Sequence, residues 1–238
     1  MKDNEKRFTL PMLDTPRTMR IRFRKVGNLQ YISHLDLQRT FSRVLVRAGL
    51  PLWYTKGFNP HIKMVFGLPL PVGTESECEF LDVRIEREMS AEEMLERLNN
   101  ELTDELKALS VYPAERNFRE IAFAEYDYTI HTEGADAELA SRAEALFAAP
   151  LTVTRRTKSG EKEVNLLDFV RRISVGFENG DIKLNAVLSA GEGSYLNPEL
   201  LITALRDKLG ILSGDLTKEH YRIYRRRVLL SDGETEFK

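Results

Sequence analysis

Residues Arg20–Pro51 read "RIRFRKVGNLQYISHLDLQRTFSRVLVRAGLP". Two periodicities meet in this stretch. Over Arg20–Val26 apolar and basic residues alternate, which puts Ile21 and Phe23 on one face of a strand and Arg20, Arg22 and Arg24 on the other. From Ser33 the spacing becomes helical. Leu37, Phe41, Val44, Leu45 and Ala48 form one stripe, while Arg39, Arg43 and Arg47, each four residues from the next, line the opposite side. Ser33 stands as N-cap, with Asp36 in capping-box position. Gly49 ends the helix and Pro51 forbids its continuation. The stretch therefore predicts a strand followed by an amphipathic helix over Ser33–Ala48.

The pattern extends outward from there. Short strands are expected at Leu52–Tyr54 and Ile62–Leu68, and a longer one at Cys78–Glu86 with Leu81, Val83 and Ile85 on one face. A second helix starts at Ser90, with Glu93 completing a capping box. It is expected to run to about Leu109, because Leu95, Leu98, Leu102, Leu106 and Leu109 keep helical register; a strand follows from Ser110 to Pro113. The second half is read as a strand at Ala122–Ile130, a helix at Ala135–Ala148, and a hairpin turning at Ser159-Gly160. After these come a short helix at "NLLDFVRRI", a strand at Asp181–Ala190, a helix capped by Asn197 and closed by Gly210, and a last strand at Tyr221–Leu230. Each half thus follows roughly the order β-α-β-β-α-β. The expected fold class is α+β, with two tandem ferredoxin-like domains over 19–119 and 120–238 behind a flexible leader at 1–18. One continuous α+β domain is the alternative.

Charge is distributed unevenly. Between Thr15 and Thr74 lie ten Lys or Arg and one acid, Asp36; between Glu75 and Glu105 lie twelve acids and three Arg. Such asymmetry between neighbouring segments points to an anionic partner. Like charges four apart on a helix repel, by a few tenths of a kcal/mol per pair in isolation. The candidate anion-binding surface comprises Arg20, Arg22, Arg24, Arg39, Arg43 and Arg47, extended by Lys56, His61 and Lys63 in the loop "YTKGFNPHIKMVFGLPLPVG" (Tyr54–Gly73). Tyr31, Trp53, Tyr54 and Phe58 are candidate stacking surfaces for unpaired bases. A solvated helix face, or neutralisation by the Glu75–Glu105 segment, is the competing explanation of the stripe.

Catalytic signals are sparse. The four histidines have no metal-ligand spacing, and His34 and His61 are the only general acid–base candidates, of which neither is assigned. His34 projects toward the apolar side of its helix. Phosphate-binding fingerprints of the GxxxxGK[ST] and GxGxxG types are absent, and no metal or cofactor is expected. "GEGSYLNP" precedes a helix start, where anions are favoured, but a Gly-rich turn with an Asn cap accounts for it equally. Cys78 is the sole cysteine, so no internal disulfide forms and no CxxxCxxC cluster motif exists. With no signal-type leader, and no run approaching the roughly 18–20 apolar residues of a membrane span, a reducing cytoplasm is the expected location.

One segment has a family likeness. "YISHLDLQRTFSRVLVRAGLPLWYTKGFNPHIKMVFGLPLPVGTESECEFLDV" (Tyr31–Val83) carries Ser33-His34-Leu35-Asp36, Arg39, Arg43, Arg47, Ala48-Gly49-Leu50-Pro51, Gly57-Phe58-Asn59-Pro60-His61, Lys63, Phe66-Gly67 and Pro69-Leu70-Pro71-Val72-Gly73. It resembles the radical-SAM-associated (radical-SAM-linked) protein family, a domain of unknown function. The likeness is dense over Arg20–Ile85; Ile62 and Val65 depart from the Pro and Ser found in many members. Such domains stand alone or follow a radical-SAM domain, with genes beside an RNase E/G-type ribonuclease and ribosomal proteins. The resemblance implies a radical-SAM protein partner and an RNA-related role, and assigns no catalytic residue. Three readings follow: a non-catalytic RNA-binding accessory module, a metal-independent RNA-processing enzyme using His34 or His61, and a scaffold docking an acidic protein.

Overall fold

The computed structural model describes residues 10–157, 160–215 and 217–238. The first nine residues of the expected leader, and Ser159 of the expected hairpin turn, lie outside them. The chain divides into two compact units, Met1–Phe118 and Arg119–Lys238. The protein is of the α+β class.

The first unit contains β1 (Met12–Lys25), α1 (His34–Arg47), β2 (Met64–Phe66), β3 (Thr74–Arg87), α2 (Ala91–Asn99) and β4 (Leu106–Pro113). Its strands lie in the order β4-β1-β3-β2, each antiparallel to its neighbour. That chain order and strand order are those of a ferredoxin-like unit. Ile21 and Phe23 of β1 and Leu81, Val83 and Ile85 of β3 face the helices and are buried with Leu37, Phe41 and Leu45 of α1. Phe23 and Phe41 meet edge to face at 4.7 Å, the arrangement aromatic quadrupoles favour. The ends of α1 follow from its caps. Ser33 Oγ accepts the Asp36 N–H at 3.1 Å. Gly49, at φ +64°, permits the terminal bond from Leu50 N–H to Leu45 O.

Local reading and structure differ at two places here. β1 begins at Met12 rather than Arg20, so Met12, Arg17 and Thr18 of the expected leader pair with β3 across a register irregularity. And α2 stops at Asn99; Leu106 and Leu109, expected on that helix, belong to β4. Asn99 explains the turn, since its side chain accepts the Ala108 N–H and donates to the Ala108 carbonyl, both at 3.0 Å. Opposite β4, the register steps from Arg22↔Ser110 to Phe23↔Ala108, leaving Leu109 as an exposed bulge residue.

The second unit contains β5 (Phe123–His131), α3 (Ala137–Leu146), β6 (Thr152–Thr157), β7 (Gly160–Asn165), β8 (Val170–Glu178), β9 (Asp181–Gly191), β10 (Ser194–Tyr195), α4 (Glu199–Leu209) and β11 (His220–Leu229). Its main sheet runs β8-β9-β5-β11, all antiparallel, while β10 pairs the end of β9 and β6–β7 form a separate hairpin. With the hairpin set aside, this is again β-α-β-β-α-β. The short helix expected at "NLLDFVRRI" is a 3₁₀ turn over Leu166–Phe169; the rest is β8. Half-buried Ile173 and Val175 there alternate with exposed Arg172, Ser174 and Gly176, a strand pattern too weak to outweigh the turn beside it. Glu219 fastens the chain before β11, accepting N–H groups of Glu133 (2.9 Å) and Gly214 (2.6 Å) and the Thr132 hydroxyl.

On the face of the first sheet away from the helices, Arg20 is fully buried. Its guanidinium grips Asp82 with two bonds (2.8 and 2.9 Å), donates to the Arg116 carbonyl at 2.8 Å and lies 4.2 Å over the Phe118 ring. Removing one partner of a buried pair typically costs about 3–5 kcal/mol, because the other charge stays desolvated. Asp82→Ala is therefore expected to lower the denaturant midpoint of unfolding by an amount equivalent to that range, and Asp82→Asn by less. A wild-type midpoint in Asp82→Ala would show that the pair contributes nothing.

Candidate nucleic-acid interface

The apolar stripe of α1 is turned to the sheet, which leaves Arg39, Arg43 and Arg47 outside. They do not share one environment. Arg39 pairs with Asp36 at 3.2 Å and Arg47 with Glu101 at 2.6 Å, the arginine side chains remaining 61% and 69% exposed. Arg43 is exposed and has no ion pair or hydrogen bond among the described residues.

The strand arginines are not the solvent-facing row that alternation alone implied. Arg20 is withdrawn into its pair with Asp82. Arg22 Nε donates to the Glu77 carbonyl at 3.2 Å. Arg24 Nε donates to the Asp104 carbonyl at 2.6 Å, with the Asp104 carboxylate 3.9 Å away. The partners come from the acidic Glu75–Glu105 segment, so the competing explanation holds for Arg20, Arg24 and Arg47. A signal for it existed: Asp82 alternates with Leu81 and Val83, which puts it on the Arg20 face, and β1–β3 register sets the two residues opposite each other.

The loop has a specific construction. Leu52 bridges Ile85, Trp53 N–H donates to the Arg84 carbonyl at 2.8 Å, and Met64, Val65 and Phe66 pair with Val83, Asp82 and Leu81. The partners are consecutive along β3. The two strands expected at Leu52–Tyr54 and Ile62–Leu68 are thus halves of one, and residues 54–63 are an excursion from it. A Tyr54–Ile62 bridge closes the excursion, with Thr55 N–H donating to His61 O at 2.9 Å and His61 N–H to Thr55 Oγ1 at 3.1 Å. His61 Nδ1 lies 3.2 Å from the Asn59 carbonyl and 3.0 Å from Thr55 Oγ1. A carbonyl only accepts, so Nδ1 carries the proton and holds the loop, leaving Nε2 for a ligand. Lys56 and Lys63 are exposed, without ion pairs among the described residues.

His34 has a packing role. Its ring meets Phe66 edge-on at 5.0 Å, beside the Phe23–Phe41 contact. Gln38 Nε2 lies 3.2 Å from His34 Nε2, and an amide nitrogen can only donate, so Nε2 is unprotonated. Burial lowers the imidazole pKa below 6.5, and Glu79 only partly opposes it. No contact joins His34 to His61 among the described residues. The aromatics are sorted as well: Trp53 lies under the Arg84 guanidinium at 5.6 Å, Tyr54 packs on the core, and Tyr31 and Phe58 are exposed. At "GEGSYLNP" Asn197 Oδ1 already accepts the Glu199 N–H at 3.2 Å, and Glu199 adds a carboxylate to the first turn of α4; the cap reading fits that geometry.

A polar cluster in the second unit was missed. Glu125 accepts from Arg227 (2.6 Å), Asn185 (3.2 Å) and Arg172 (3.3 Å); Asp127 accepts from Asn185 (2.8 Å) and pairs with Arg226. Burial raises the Glu125 pKa, but these donors outweigh it and the net shift is downward. Alternation of Glu125 and Asp127 with Tyr126 and Tyr128 was the available clue. The cluster closes on itself, each of these arginines being matched by a carboxylate. Among the described residues, no group of three or more His, Cys, Asp or Glu is placed to hold a metal ion, and no helix is long and apolar enough to cross a membrane.

A family model described as "Uncharacterized protein conserved in bacteria (DUF2344)" matches residues 18–198. The chain belongs to this family. The match takes in β1 from Thr18 onward, α1, the loop and much of the second unit, so the surface described above lies within the DUF2344 region. No curated protein matches the sequence. Among solved structures, a Cbf5-Nop10-Gar1 complex is similar at 14% identity, covering 88% of this chain and 48% of that one, with a TM-score of 0.45. An unknown protein from Galdieria sulphuraria is similar at 9% identity over 89% of this chain and 99% of that one (TM-score 0.25). A heavy metal efflux pump is similar at 9% over 93% and 30% (TM-score 0.22). The chain spans about half the length of the first of these. All three scores are low, so the fold description rests on the strand pairing of this DUF2344 chain itself.

His34 yields a pH dependence with a definite sign. Its folded pKa lies below the unfolded value, so on acidification the unfolded chain takes up the proton first and stability falls as pH drops through 6.5. His34→Gln is expected to flatten the loss of stability between about pH 7 and pH 5. Urea midpoints at the two ends of that window test this; an unchanged slope would place the titration elsewhere.

Proposed function

We propose that this DUF2344 chain is a non-catalytic RNA-binding module that acts as an accessory to a radical-SAM protein. One observation carries the RNA part: in a segment where Arg20, Arg24, Arg39 and Arg47 meet internal carboxylates, Arg43, Lys56 and Lys63 are exposed and unmatched among the described residues, as is Arg17 at the start of the segment. Unmatched exposed cations are the sequence-independent part of a phosphate-binding surface. Arg39 and Arg47 join them readily, since exposed ion pairs are worth about 0–1 kcal/mol and a phosphate can replace the carboxylate. Arg22, Arg24 and His61 Nε2 are secondary contacts, and Arg20 is a structural residue. The radical-SAM partner rests on the resemblance of Arg20–Ile85 to radical-SAM-associated proteins. The packing of His34 and the loop-holding bond of His61 favour binding over cleavage.

Binding is expected to weaken with salt, with a slope of about −0.7 in log K against log salt per phosphate contact on a single strand. In an Arg43→Ala/Lys56→Ala/Lys63→Ala variant the slope should become shallower by about 2. An Arg172→Ala/Arg226→Ala variant, which removes internally paired cations of the second unit, should change far less. Fluorescence anisotropy with labelled RNA measures both. Equal losses in the two variants would remove the assignment to the unmatched cations. Capture of an acidic protein that persists after nuclease treatment, without RNA affinity, would favour the scaffold reading.

A further inference from the structure

The geometry points to Phe58 as a stacking platform for an unpaired base, which makes the ligand single-stranded rather than duplex RNA; this rests on the RNA-binding reading above. The edge strand along β3 is interrupted, and the excursion puts the loop tip in solvent. Its base is tied by the Tyr54–Ile62 bridge and the Thr55–His61 bonds, and all of 56–60 is exposed. Gly57, at φ +139°, takes a backbone conformation that other residues rarely adopt and sets the turn before Phe58. Phe58 has a relative exposure of 112%, against 66% for Tyr31. Burying a phenylalanine side chain is worth about 1.5–3 kcal/mol, yet this one is held away from the core on a closed loop.

Its surroundings select the ligand. Lys56 and Lys63 flank it, and no carboxylate occurs between Asp36 and Glu75 in the sequence. An open ring set among unmatched cations suits a strand whose bases are splayed and whose backbone is anionic. In a duplex the base faces are stacked on one another and closed to it. Phenylalanine has no hydrogen-bonding group, so the contact discriminates paired from unpaired bases and not one base from another. A membrane surface fits less well. A single myristoyl chain gives only marginal membrane binding, one phenyl ring buries less, and the apolar stripe of α1 is turned inward.

The test uses the full chain and a short RNA carrying 2-aminopurine, free or annealed to its complement. Wild type should bind the single strand more tightly than the duplex and quench the fluorophore. Phe58→Ala should weaken single-strand binding about 5- to 150-fold, abolish the quenching and leave duplex binding unchanged; Phe58→Trp should retain both. As Phe58 is fully exposed among the described residues, a circular-dichroism spectrum identical to wild type is expected for Phe58→Ala. Single-strand affinity and quenching unchanged in Phe58→Ala would overturn the stacking role while the cationic surface stands. Absence of RNA binding by wild type would remove the parent reading and the stacking role together. Phe58-dependent binding to phosphatidylserine vesicles, without RNA binding, would assign the loop to a membrane instead.

Discussion

β3 pairs along one side with β1 and along the other with the interrupted strand 52–66. A strand held on both sides cannot slip by one residue without turning Leu81, Val83 and Ile85 out of the core. The same register puts Asp82 opposite Arg20 on the other face, so core and buried ion pair depend on one alignment. It also determines how the loop leaves the sheet. With Trp53 on Arg84 and Met64 on Val83, 54–63 has no partner on β3 and must project from the edge.

The acidic segment acts chiefly within the chain. Asp82, Glu101 and Asp104 take up Arg20, Arg47 and Arg24, which lie distant in sequence and close in space. A lopsided charge map therefore overstates the cations open to a ligand. What remains on the surface, among the described residues, is a smaller set, Arg17, Arg43, Lys56 and Lys63, the last two in a loop that the DUF2344 family match includes. The second unit shows the same economy: Arg172 of β8 and Arg226 and Arg227 of β11 close on Glu125 and Asp127.

Legibility followed the range of the interactions. α1 was readable almost to the residue because its stripe, N-cap and Gly49 terminus all act within a few residues of one another. The end of α2 was not, because Leu98, Leu102 and Leu106 keep helical spacing whichever structure follows. The decision fell to Asn99, which holds Ala108, and to the pairing of β4 with β1. β8 was hidden for a related reason: its weak alternation follows a 3₁₀ turn that local reading extended into a helix. In the candidate site, the loop was singled out by composition, but that its flanking strands are one strand is a property of β3 register.

By itself the sequence determined the class of the fold, the faces of α1 and β1, and the excess of cations before Thr74, since periodicity, caps and charge are properties of neighbouring residues. Only the tertiary structure decided which of those cations stay exposed, that His34 packs on Phe66, and that Phe58 stands open on a closed loop. Each of these depends on groups brought together from distant positions, Arg20 with Asp82 above all, where burial and cross-strand register rather than local spacing determine the partner.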